Sequence, residues 1–280
     1  MNQREGESHW SAVAERWKLV GPPLRPSSVD AEEYARVVLD WAAVQGSPRA
    51  LILGVTPELY GLPWPTGTTL SAVDHTQAMI DALWPGPKGS ALRAEWTDLP
   101  VPSGSVDIAV CDGGLHLLSH PNQQLAMVRS LERVLVVGGL FIVRLFVPPA
   151  QQESVDRVLR DLDSGAIPNL NVLKLRLGMA LQQSATEGVE LHHVWSVLQS
   201  QFPDFEALAR RLGWELAHLQ AIDTYRNCQS RYHFVSLEEV QQMFCGEDPA
   251  FELVSVHAGS YALGERCPLV VLRRLRAAAR

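Results

Sequence analysis

Three carboxylates in this chain, Asp74, Glu95 and Asp112, share one context: each closes or follows a short apolar run. A fourth run, Ala50 to Leu53, ends in Gly54 instead. Asp74 lies twenty positions after Gly54. That spacing matches the acid that accepts both ribose hydroxyls in nucleoside-binding folds, and the position equally suits an Asp capping the next helix. Glu95 can accept from an adenine amino group while the Trp96 amide and indole hold the ring; the plainer reading is a surface acid beside a half-buried Trp. After Gly54, Thr56-Pro57-Glu58 is a helix start, with Thr as N-cap, Pro at the first position and an acid in the first turn. As a pyrophosphate loop it is poor, since it has one glycine of G-x-G-x-x-G and Pro57 lacks an amide donor. His116, just past the Asp112 run, is the best-placed base. His192, His193, Tyr232 and His233 come later as acceptor-side candidates, each histidine also readable as structural. No residue set has metal-ligand spacing.

These side chains need a scaffold, and the periodicity supplies one. Ala50–Leu53, Thr69–Val73, Ala91–Glu95 and Val106–Cys111 read as buried strands. His75–Trp84 and Pro121–Val136 read as helices, the second ended by Gly138-Gly139 before a fifth strand at Leu140–Val147. Strand and helix alternating in this way predict an α/β fold with a doubly wound, mostly parallel sheet covered on both faces. In such a sheet, ligands lie across the carboxyl ends of the strands, where Gly54, Asp74, Glu95 and Asp112 stand.

Upstream, residues 1–48 read as a helical segment. Trp10, Val13 and Trp17 mark one helix, and Asp30 to Glu33 has the spacing of a capping box opening another. Residues 49–147 form the core. Residues 148–249 read as successive helices, including one opened by a second capping box at Ser236–Glu239. Residues 250–280 hold two close strands, Phe251–His257 and Pro268–Arg273, too near in sequence for a parallel crossover and so expected as an antiparallel pair.

The composition narrows the function classes. Of 280 residues, 24 are basic and 31 acidic, and the net charge of −7 argues against a general nucleic-acid binder. A 46% apolar and 20% charged content is that of an ordinary globular chain. The longest apolar run, Val134–Val143, is about half of the roughly 20 residues a membrane span needs. Met1–Trp10 has no apolar core of the signal-peptide kind. Cys111, Cys228, Cys245 and Cys267 lack C-x-x-C spacing and read as buried free thiols. A reduced, cytoplasmic protein is expected, with no membrane or nucleic-acid partner and with room for a homodimer.

Together these segments resemble the class I S-adenosylmethionine-dependent methyltransferases over about Arg49–Val147. Ala50–Glu58 is similar to their first motif in a Thr-Pro-Glu variant, and Ala72–Ile80 to the second-strand acid followed by a helix. Glu95–Asp107 is similar to their third-strand segment, Cys111–His116 to the fourth-strand motif, and Val134–Val143 to the Gly-Gly segment that follows. The chain departs from the family where Thr56 and Glu58 replace glycines and Ile52 replaces an acid.

The resemblance implies a Rossmann-like, seven-stranded methyltransferase fold with S-adenosyl-L-methionine as cofactor. It implies that Gly54, Thr56 and Glu58 border the methionine part and that Asp74 takes the ribose, with His75 and Met79 flanking the adenine. Glu95 and Trp96 would hold the adenine edge and face, and Asp112, Gly113 and Gly114 would line the passage to the methyl. The function expected is methyl transfer to a small-molecule oxygen or nitrogen acceptor enclosed by the helical insert, with His116 as base. The other readings are a non-catalytic protein that kept the fold and a nicotinamide-dependent oxidoreductase.

Overall fold

The computed structural model describes residues 3–247 and 249–275, residues 3–8 by backbone alone. Residues 1–2, 248 and 276–280 lie outside the described residues.

The N-terminal segment folds as α1 (Gln3–Glu15), a single turn at Trp17–Leu19, and α2 (Ser28–Gln45). The capping box predicted at Asp30–Glu33 sits three residues earlier. Ser27 is the N-cap, its hydroxyl accepting from the Asp30 amide while Asp30 Oδ2 accepts from the Ser27 amide at 2.8 Å. Asp30 is turned inward because Tyr261 donates to its Oδ1 at 2.9 Å, whereas Glu33 pairs with Arg36 at the surface.

The core then runs β1 (Arg49–Leu53), α3 (Pro57–Tyr60), β2 (Thr69–Asp74), α4 (Gln77–Leu83), β3 (Ala91–Arg93), β4 (Val106–Asp112), α5 (Asn122–Val134) and β5 (Leu135–Arg144). The insert holds α6 (Val155–Asp163), α7 (Leu170–Leu181), β6 (Val189–Glu190), α8 (Leu191–Gln201), α9 (Phe205–Leu212), α10 (Leu216–Gln220), β7 (Arg231–Tyr232) and α11 (Leu237–Cys245). Strands β8 (Phe251–His257) and β9 (Leu269–Arg274) return to the main sheet.

Seven strands form that sheet in the order β3-β2-β1-β4-β5-β9-β8. The first five are parallel, and β9 pairs antiparallel with both β5 and β8. This is the mostly parallel sheet with a late antiparallel pair that the patterning predicts. Strand alternation sends Leu51 and Leu53 toward α5 and Ile52 toward α2 and α4, so the two faces carry separate apolar layers. The insert has a third core of its own, around α7, α8 and the turn at Ala221–Tyr225, which reaches the sheet through Phe146.

Two details differ from the sequence reading. Strand β5 begins at Leu135, so Gly138-Gly139 lies within the strand rather than ending a helix. The pairing with β4 slips between Val106 and Ile108, and a Cβ on Gly139 would come 2.8 Å from the Asp107 carbonyl oxygen. The insert, read as helices alone, also contains the β6–β7 ribbon. Two residues per strand are too few for alternation to register.

Candidate active site

Strand order reverses between β1 and β4, and the carboxyl ends of β1, β2 and β4 open there into one cavity. Gly54, Thr56, Asp74, His75, Met79, Trp96, Asp112, Gly113 and His116 all line it, and its empty space, counted with the open mouth, is ≈ 910 Å³.

Gly54 turns the chain with φ +84°, a region that L side chains rarely adopt, and its amide donates to the Val73 carbonyl at 2.9 Å. A Cβ there would lie 3.3 Å from the Trp96 ring. A Cβ on Gly114 would come closer still to the benzo end of that indole, 2.8 Å from Cζ3. The two glycines therefore leave the width that Trp96 fills, and Nε1 donates to the Val73 carbonyl at 2.8 Å to fix the ring as part of the cavity floor.

Asp74 is buried, and both its oxygens are held by backbone. Oδ2 accepts from the Val55 amide at 3.1 Å and Oδ1 from the Thr76 amide at 2.8 Å. The capping reading is thus realised in part, and one lone pair on each oxygen remains for a ligand. His75 Nδ1 stands 3.7 Å from Oδ1. Glu95 is exposed and lines an adjoining pocket that shares His75 and Trp96 with the main cavity. The two acids therefore stand on either side of His75 and Trp96 rather than inside one chamber.

Asp112 has a different fate. Parallel register sets it beside Arg144, whose guanidinium donates to both carboxylate oxygens at 2.6 and 3.0 Å with both side chains buried. Asp112 holds the guanidinium well above its usual range. Tyr261 ties Arg144 to Asp30, and the Tyr34 hydroxyl donates to the Cys111 carbonyl while accepting from the Arg144 amide. Asp112 lines the cavity, but its charge is spent on this network.

His116 sits in an aromatic cage. It stacks on Phe234 at 5.4 Å, meets Tyr232 edge-on at 4.6 Å and lies 5.0 Å from Phe146. Nδ1 is buried without a hydrogen-bond partner. Burial pushes its pKa down to about 3, so the ring is a neutral imidazole at ordinary pH and a weak base.

The remaining candidates divide. Tyr232 lines the cavity. Glu58, expected at the methionine end, does not: Arg25 donates from Nε to its Oε1 at 2.8 Å, Oε2 is buried without a hydrogen-bond partner, and Arg25 is the side chain that reaches the cavity wall. His192 and His193 lie in a separate surface depression, with His192 Nδ1 accepting from the Asn227 amide at 3.1 Å. They project there because the β6–β7 ribbon, not foreseen, sets the start of α8. His233 is buried outside the cavity lining, its ring bonded to the Ala185 carbonyl at 2.8 Å and its amide to the His116 carbonyl at 2.7 Å.

Several lining residues escaped the sequence reading. His9, Trp10, Val13 and Trp17 roof the cavity from α1 and the turn after it. The stripe Trp10, Val13 and Trp17 that marks the helix thus lines the cavity, while Trp10 and Trp17 also pack against the apolar layer on the α2 side of the sheet. His9 bonds the Thr224 carbonyl at 2.9 Å, and burial lowers its pKa to about 4. Lys174 and Tyr225 enter from the insert. The one signal for Lys174 was a lone lysine in the mostly apolar helix Leu170–Leu181, which also carries Asn171 and Arg176. Among the described residues no group of three or more His, Cys, Asp or Glu could hold a metal ion, and no helix is long and apolar enough to cross a membrane.

Comparison with solved structures finds the same fold at low identity. A Rhodobacter sphaeroides protein provisionally named a Zn-dependent alcohol dehydrogenase superposes with a TM-score of 0.60 at 13% identity, covering 96% of this chain and 98% of its own. The CcbJ methyltransferase from Streptomyces caelestis does so with a TM-score of 0.56 at 14% identity, over 96% and 98% of the two chains. No curated protein matches the sequence. Residues 55–143, from the turn after β1 to the end of β5, match the family described as a methyltransferase domain. On this sheet, residues 55–143 are thus similar to a methyltransferase domain.

Proposed function

We propose that the chain transfers the methyl group of S-adenosylmethionine to an oxygen or nitrogen of a small molecule held in the cavity between the strand ends, α1 and the insert. The observation that supports this most is the cavity's continuity, which runs from Asp74 and Gly54 on the sheet to His116, Tyr232 and Lys174 on the acceptor side. A flat protein or nucleic-acid surface would not fit under the α1 roof.

The donor set suits the cofactor. Asp74 keeps free lone pairs for two ribose hydroxyls, and the Gly54 turn lets a ligand lie against backbone that a Cβ would obstruct. Met79, His75 and Trp96, which line the cavity beside Asp74, would hold the adenine. Thr56 and Arg25 stand at the methionine end. When bound, S-adenosylmethionine supplies a methyl group already activated on a sulfonium.

The chain's own work is then alignment and exclusion of water. Phe146, Tyr232 and His116 present aromatic faces and edges, surroundings in which a cation is tolerated without a carboxylate. The neutral His116 can accept a hydrogen bond from an acceptor hydroxyl or amine and so orient a lone pair toward the methyl. With a pKa of about 3 it holds and directs that proton more than it removes it.

Calorimetric titration with S-adenosylmethionine and S-adenosylhomocysteine tests the reading. Binding at micromolar concentration is expected, and no heat at millimolar ligand would remove it.

A further inference from the structure

Lys174 is buried in the cavity wall, 8% exposed, on the apolar helix α7. Its ammonium lies 4.6 Å from the centre of the Tyr225 ring, and its one hydrogen bond is a 3.5 Å contact to the Ala221 carbonyl. An ammonium carries three donors, and a buried cation is costly without an anion beside it. Among the described residues no carboxylate lies within ion-pair reach of it, and the charge acting on it comes from Arg16, of the same sign. Arg25, the other Lys or Arg in the cavity wall, is already matched by Glu58 beside the turn after β1. Aromatic surface continues from Lys174 toward the methyl-transfer end: Tyr225 meets Tyr232 edge-on at 6.2 Å, and Tyr232 meets His116 in the same way at 4.6 Å. The acceptor side is therefore an aromatic slot with an unmatched positive charge at its far end.

We infer that the methyl acceptor is a small aromatic acid whose carboxylate is bound by Lys174 while its ring lies against Tyr225 and Tyr232. This rests on the methyltransferase reading above. The carboxylate completes the ion pair that Lys174 lacks, and the distance from Lys174 to His116 then selects which part of the acceptor meets the methyl.

The test uses the full chain saturated with S-adenosylhomocysteine, titrated with benzoate, with benzamide as the uncharged probe of the same shape. The wild type should bind benzoate at least tenfold more tightly than benzamide, on the order expected for a charge-assisted bond. Lys174→Met should lose that preference while its affinity for S-adenosylhomocysteine stays within about twofold, which also shows that the variant is folded. Benzoate bound no better than benzamide by the wild type, or a benzoate preference kept by Lys174→Met, overturns the inference. Loss of S-adenosylhomocysteine affinity in Lys174→Met overturns it too, because Lys174 would then serve the cofactor's own carboxylate. A wild type that binds no S-adenosylhomocysteine would remove the methyltransferase reading itself, so the two failures are distinct.

Discussion

Asp74 and Asp112 are the same residue type at the same station, the carboxyl end of a parallel strand, and their surroundings give them different work. Asp74 is hydrogen-bonded only by backbone amides, with the His75 ring 3.7 Å away, and keeps lone pairs for a ligand. Asp112 meets a guanidinium delivered by strand register, which takes both of its oxygens. Asp74→Ala should therefore weaken S-adenosylhomocysteine binding at least tenfold by calorimetry and lower unfolding stability by about 1–3 kcal/mol, because the Val55 and Thr76 amides lose their acceptor. Lys174 predicts the opposite sign. Burial holds its pKa at about 8 rather than 10.5, so below pH 8 the folded state carries a charge it disfavours. Lys174→Met should raise the free energy of unfolding at pH 7 by on the order of 3 kcal/mol in denaturant titrations. A residue that costs stability where it stands is one whose retention a ligand would explain.

At the scale of elements, α1 and α2 attach to the sheet by different means. Helix α2 is stitched to the ends of β4 and β5 through Asp30, Tyr261, Arg144, Asp112 and Tyr34, a buried network with each member bonded. Arg144→Met would leave the Asp112 carboxylate buried without its partner. A loss of about 3–5 kcal/mol is expected in urea unfolding, and Arg144→Lys should restore little, since an ammonium cannot reproduce the two parallel bonds. Helix α1 instead lies over the cavity mouth, held by the His9 bond to Thr224 and by an edge contact between Trp10 and His75 at 6.2 Å. Trp10→Ala removes that contact from the roof and trims a half-buried ring from the margin of the apolar layer beneath it. The expected outcome is weaker S-adenosylhomocysteine binding with an unfolding midpoint within a few degrees of wild type by circular dichroism. The insert brings its own core, and so it can shape the cavity wall without rearranging the strand ends.

For the whole molecule, stability should depend on pH through buried imidazoles. His9 and His116 have folded pKa values of about 4 and about 3, lowered from 6.5 by burial, and His233 is lowered as well. As pH falls below 6.5 the unfolded chain takes up protons that the folded chain refuses. The stability is thus fully present above pH 6.5 and declines toward pH 4, by about 1.4 kcal/mol per pH unit for each fully buried imidazole. Glu33, Asp107 and Glu153, whose carboxyls are held below their usual values, add losses only nearer pH 4 and below, while the Asp112 carboxyl, raised by burial, acts against the decline, so the interval from pH 6.5 to 5 is set mainly by the histidines. Unfolding free energies across that interval should show the decline, and His116→Phe, which suits the aromatic cage, should make it shallower.

What the sequence determined by itself is local or periodic. The parallel strands, the acids closing them, the glycine turn after β1 and the capping box at Ser236 follow from spacing alone, because backbone conformation and burial period are written within a few residues. The same spacing also carried the resemblance over residues 49–147, and with it the cofactor. Only the tertiary structure decided which partner each group meets. Register gave Asp112 to Arg144, folding gave Glu58 to Arg25, and the β6–β7 ribbon set His192 and His193 outside the cavity. The α1 stripe became a roof and Lys174 a wall charge for the same reason: the partner of a buried group is chosen by residues far along the chain, and no local pattern records that choice.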